Sequence, residues 1–144
     1  MVELIIGDKG KGKTVELLAK VNQEIKETIG NIVYLDKSNK HMYELNNKIR
    51  LINVRDFSIS NIDEFIGLIL GIISQDNDLK SMYCDNFLKL ASVDENNRDI
   101  NLIENTVNRL NSISEKFDIN FTITLSLNDA QLTDDIRKFV VKTL

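Results

Sequence analysis

The stretch GDKGKGKT, residues 7–14, directly follows the apolar run VELII at 2–6 and precedes a segment whose apolar residues recur at helical spacing. No other feature restricts the fold as much. A short branched-residue strand that leaves through a glycine-rich turn into a helix belongs to a layered sheet, with the turn at the strand's carboxyl end. Gly7, Gly10 and Gly12 allow backbone angles that side chains forbid, so successive amides can turn toward one anion. The helix expected from Thr14 adds unpaired amides and the positive end of its dipole. Its predicted apolar face is Val15, Leu18, Val21 or Asn22, Ile25 and Ile29, with Gly30 as the C-terminal cap.

The rest of the chain keeps alternating between the two periods. NIVYLD (31–36) and RLINV (50–54) read as strands, with a polar, partly helical segment at 37–49 between them. Ser60 and Asp63 have capping-box spacing ahead of the apolar helix NIDEFIGLILGIIS. SMYCD (81–85) reads as a strand and ASVDENNRD (91–99) as a loop. An amphipathic helix with Ile100, Ile103, Val107, Leu110 and Phe117 on its buried stripe comes next, then the strand INFTITLS (119–126). A short helix near 129–136 leads to KFVVKT (138–143), which fits a last strand or a continuing helix. The expected fold is α/β, a mostly parallel sheet of five or six strands sandwiched by helices, in one domain spanning 1–144. Ligands of such sheets sit beyond the carboxyl ends of the strands.

Gly7, four intervening residues, and Gly12-Lys13-Thr14 complete the pattern G-x-x-x-x-G-K-[ST]. The loop resembles the Walker A motif of P-loop NTPases. The resemblance implies that Gly7, Asp8, Lys9, Gly10, Lys11, Gly12, Lys13 and Thr14 hold the phosphates of a nucleotide, ATP with Mg2+. Lys13 would lie on the terminal phosphates, and the Thr14 hydroxyl, a hard oxygen, would meet the magnesium. Lys9 and Lys11 read as solvated loop charges. Partitioning ATPases have a similar loop but carry a signature lysine where Asp8 stands, which disfavours that class. A GTPase is disfavoured too, because NNK at 46–48 continues with Ile49 and Arg50 and gives no guanine-reading motif.

The resemblance also implies an acid at the end of a second strand, and Asp85, closing MYCD, is assigned as this Walker B residue, catalytic with Lys13 and a metal ligand with Thr14. Asp36, closing IVYLD, is its competitor. The chain looks most like the additional-strand division of these ATPases, in which the strand after the first helix lies at a sheet edge; Asp36 is therefore expected to be remote from the magnesium. Ser126, closing TITLS, resembles the phosphate-sensing position of that division, and DAQLTDDIRKFVVKT resembles its closing helix and strand. Two departures stand out. Asn86 occupies the place of the usual water-activating glutamate, and an amide is a poor proton acceptor; Asp94 or Glu95 would substitute only if their loop folds back. NFTITLS alternates apolar residues with threonine, as a half-exposed strand does, whereas central parallel strands are usually apolar on both faces.

These features imply an ATP- and magnesium-binding domain with slow hydrolysis coupled to a protein partner or a second copy. The alternatives are a non-catalytic nucleotide-binding regulator and a small-molecule kinase, which lacks a visible arginine-bearing lid. The net charge of -4 argues against a general nucleic-acid binder, and a lone Cys84 and a lone His41 leave little for a disulfide framework or a zinc site. His41 is expected at the surface and Cys84 in the core. Gly67 and Gly71 are expected to pack closely within the core, with a dimer face as the alternative. Arg98 is the weak favourite for an arginine finger. No signal sequence or membrane span is read, and a cytoplasmic location is expected.

Overall fold

In a computed structural model, described for residues 1–94 and 99–144, six parallel strands form one sheet. The strands are β1 (Val2–Ile6), β2 (Asn31–Asp36), β3 (Arg50–Asn53), β4 (Leu79–Cys84), β5 (Asn120–Leu125) and β6 (Val140–Thr143), in the order β3-β2-β4-β5-β1-β6. The helices are α1 (Lys13–Glu24), α2 (Ile62–Ser74), α3 (Phe87–Leu90), α4 (Ile100–Phe117) and α5 (Asp134–Arg137). KFVVKT therefore resolves as a strand, paired with β1.

Strand periodicity divides the core in two. Leu4, Ile6, Val33, Leu35, Met82, Cys84, Phe121 and Ile123 point to one face, where α2 and α4 bring Phe65, Ile69, Ile103, Val107 and Leu110. Ile5, Ile32, Tyr34 and Tyr83 point to the other, against Leu17, Leu18, Val21 and Ile25 of α1. The helical layers on both faces explain why the strands read as near-continuous apolar runs. Cys84 lies in the core as expected.

β5 is the instructive exception. It sits between β4 and β1, so neither face is open to water, yet Thr122 and Thr124 are both buried. They share the α1 side, with their hydroxyls turned toward polar partners. The alternation marks a polar buried face here, and the half-exposed reading is corrected.

Several local expectations shift. α1 stops at Glu24, and Val15 and Ile29 are exposed; its buried face is Leu17, Leu18, Val21 and Ile25. Gly30 does not cap the helix. It stands before β2, where an added Cβ would meet the Asp78 carbonyl at 2.7 Å. The α2 cap is Asn61, which accepts from the Glu64 N–H at 2.9 Å, one residue later than expected. Phe117 is exposed, and Thr106 and Ser114 complete the buried stripe of α4. Gly67 and Gly71 have no neighbour within 4 Å of an added Cβ, so they are not a close-packing device in this chain.

Candidate functional site

The glycine-rich loop joins β1 to α1 at the carboxyl end of the sheet. Gly10 and Gly12 take φ of 83° and 93°, left-handed angles that disfavour side chains, as the spacing predicts. Gly7 has a different task. An added Cβ would meet the Leu144 Cβ and carbonyl oxygen at 3.1 Å, so Gly7 gives room for the residue after β6. Leu144 is held there by its N–H, which donates to the Ile6 carbonyl at 2.9 Å.

Lys13 folds back over the loop, and its Nζ donates to the carbonyls of Gly7 and Asp8, both at 2.9 Å. Lys13 is 9% exposed, and its ammonium lies against the loop backbone. One residue on, Thr14 Oγ1 donates to Asp85 Oδ2 at 2.9 Å. Asp85 is set in turn by Thr124, whose Oγ1 donates to Asp85 Oδ1 at 3.1 Å and accepts the Asn86 N–H at 2.6 Å. The buried threonine of β5 thus fixes both the acid and the residue after it.

A cavity of about 190 Å³ opens over this cluster, lined among others by Lys9, Gly10, Lys13, Thr14, Asp85 and Ser126. Asn86 also lines it, at φ 58°, a left-handed angle that asparagine tolerates better than most residues. The donors suit a phosphate chain, being loop amides, one helix N-terminus and an ammonium. The Thr14 hydroxyl and Asp85 carboxylate are hard oxygens of the kind magnesium takes. Asp94 lines a separate cavity with Asn61 and Arg109, between α2 and α4, and does not fold back toward the loop. Glu95 and Arg98 lie outside the described residues.

The placement of Asp36 corrects an expectation. β3 occupies the sheet edge, so β2 lies one strand inward, beside β4. The register that pairs Tyr34 with Tyr83 and Leu35 with Cys84 carries forward to set Asp36 next to Asp85. His41 is not a plain surface residue either: ligand atoms of Asp36, His41 and Asp85 all lie within 4.8 Å of one another. Burial raises the Asp36 carboxyl above its ordinary range; the Lys37 N–H lowers it and the Asp85 charge raises it again. Nothing in the sequence pattern pairs these residues, because the pairing depends on strand order.

No family model and no curated protein sequence matches this chain. Among solved structures it is similar to the flagellar accessory protein FlaH from Methanocaldococcus jannaschii, with a TM-score of 0.53 and 11% identity. The likeness covers 95% of this chain and 65% of that one. At this identity it shows the fold alone, a parallel α/β sheet with helices on both faces. Among the described residues, no helix is long and apolar enough to cross a membrane.

Proposed function

We propose that the chain binds ATP with Mg2+ in the cavity over the glycine-rich loop and hydrolyses it slowly, in concert with a protein partner or a second copy. The observation that carries the reading is the convergence of Lys13, Thr14 and Asp85 at the carboxyl ends of β1 and β4, with Thr14 bonded to Asp85 at 2.9 Å. Elements distant in sequence meet where a phosphate chain and its cation would lie. The loop amides from Gly10 to Thr14 would cradle the phosphates, and the Lys13 ammonium would exchange its loop carbonyls for phosphate oxygens. Thr14 and Asp85 would hold the magnesium, directly or through water, and the bound ion would neutralise charge on the leaving phosphates. Ser126 lines the same cavity and is suited to touch the terminal phosphate.

Calorimetry of Mg-ATP binding to the wild type and Lys13→Ala tests this reading, with turnover followed by phosphate release. Equal affinities would remove its basis.

A second reading, a nucleotide-binding regulator without turnover, is favoured by Asn86. Its side chain is an amide and its backbone N–H is tied to Thr124, so the position offers no base for the attacking water. A binding curve without phosphate release, alone or with the partner, would select it.

A further inference from the structure

We propose that, in the absence of nucleotide, Asp36, His41 and Asp85 form a site for one divalent transition-metal ion of the zinc class, which shares Asp85 with the magnesium site proposed above but does not depend on the glycine-rich loop. The three residues come from the end of β2, the turn after it and the end of β4, and bring one ligand atom each within 4.8 Å of the other two. Asp36 is 3% exposed and Asp85 7%. Two carboxylates at that range, with so little water, repel unless a proton or a cation lies between them.

Hydrogen bonding leaves Asp36 incomplete. Its Oδ1 accepts the Lys37 N–H at 2.7 Å, while Oδ2 is buried with no hydrogen-bond partner. A buried carboxylate oxygen without a donor is costly, and a coordinated cation removes that cost.

His41 is prepared for the same role. Its Nδ1 lies 3.2 Å from Glu44 Oε2, and its side chain is only 18% exposed. In the tautomer that donates Nδ1–H to this carboxylate, Nε2 carries the lone pair, the outer-shell arrangement that orients metal-binding histidines. Thr14 and Thr124 hydroxyls orient Asp85 in the same manner. One imidazole and two carboxylates select zinc-like ions over magnesium, which prefers oxygen alone. Zinc bonds of about 2.0–2.1 Å place tetrahedral ligand atoms roughly 3.3 Å apart. The three ligand atoms, within 4.8 Å of one another here, would draw closer on binding. Water takes the fourth position.

The test uses the full chain, stripped with chelator and free of nucleotide. Zn2+ is titrated calorimetrically, and the single histidine is observed by nitrogen NMR of its imidazole. Expected are one equivalent of Zn2+, a shift of the Nε2 resonance, and weakening by roughly tenfold or more in His41→Ala and Asp36→Asn. His41→Ala keeps its Mg-ATP affinity, and Lys13→Ala keeps its Zn2+ affinity. The zinc site therefore stands or falls apart from the nucleotide reading. No stoichiometric binding, an unmoved Nε2 resonance, or undiminished affinity in folded His41→Ala overturns the proposal; folding is checked by circular dichroism. Loss of Zn2+ binding in folded Lys13→Ala overturns the claim that the ion is held without the glycine-rich loop.

Discussion

Thr14 Oγ1 stands 2.9 Å from Asp85 Oδ2 and 3.2 Å from Oδ1, joining the first turn of α1 to the end of β4. This bond aligns the hydroxyl and carboxylate side by side at the mouth of the loop. It also makes the geometry of the loop depend on the strand order of the sheet.

Lys13→Ala is expected to weaken Mg-ATP binding by more than tenfold, the equivalent of about 1.4 kcal/mol or more, while far-ultraviolet dichroism is unchanged. The ammonium bonds the carbonyls of Gly7 and Asp8, both in the loop that would receive the phosphates. Calorimetry on the two proteins decides the point.

Asp36→Asn is expected to stabilise the metal-free protein at pH 7. The folded carboxyl titrates above the ordinary unfolded value of about 3.9, chiefly through burial. Between those two values the folded state holds more protons, so wild-type stability falls as pH rises through that window and stays lower above it. Asparagine has no such charge and keeps an acceptor for the Lys37 N–H. The advantage of the variant should shrink as pH falls toward the unfolded value, as urea unfolding at several pH values will show; a wild type more stable at pH 7 contradicts it.

Asn86→Glu is expected to raise ATP turnover, because it places a proton acceptor in the cavity where the amide now stands. The same change should destabilise the protein by about 1 kcal/mol, since φ at this position is 58°. Brisk turnover by the isolated wild type would show that the amide is no handicap. Unchanged turnover in a variant that still binds ATP would favour the regulator.

Thr124→Val is nearly isosteric but removes the hydroxyl that serves both Asp85 Oδ1 and the Asn86 N–H. Leaving buried polar groups unsatisfied should cost about 2–3 kcal/mol, with Thr124→Ser recovering most of it. Chemical denaturation measures the stability, and Mg-dependent ATP affinity should fall in parallel for valine alone.

The alternation of strands and helices, and the loop with Lys13 and Thr14, were legible because each is written in contiguous residues. Asp85 was legible as a strand-ending acid. The neighbour of Asp85 was not. RLIN is too short and too polar at its ends to announce that it covers the sheet edge, and without that fact Asp36 reads as an edge residue outside the site. The threonines of β5 misled for a related reason: period-2 alternation reports two unlike faces, and a buried face of hydroxyls has the same signature as a wet one. Gly30 and Ile29 show the limit of helix patterning, since α1 ends at Glu24, Ile25 is the last residue of its apolar face to be buried, and Ile29 is exposed.

The opposite end of α1 adds a mechanical consequence. Glu24, its last residue, accepts hydrogen bonds from Ser81 Oγ and, at 2.7 Å, from Tyr83 Oη, both on β4. Thr14 and Glu24 thus rivet the helix to one strand at both ends, like a beam clamped at two supports. Such a beam cannot slide along β4 or pivot on one bolt. A push at the loop is relieved by bending, or by carrying β4 and its neighbours β2 and β5 with it. Force arriving at the first turn of α1 is thereby passed to the middle of the sheet, where β4 lies between β2 and β5.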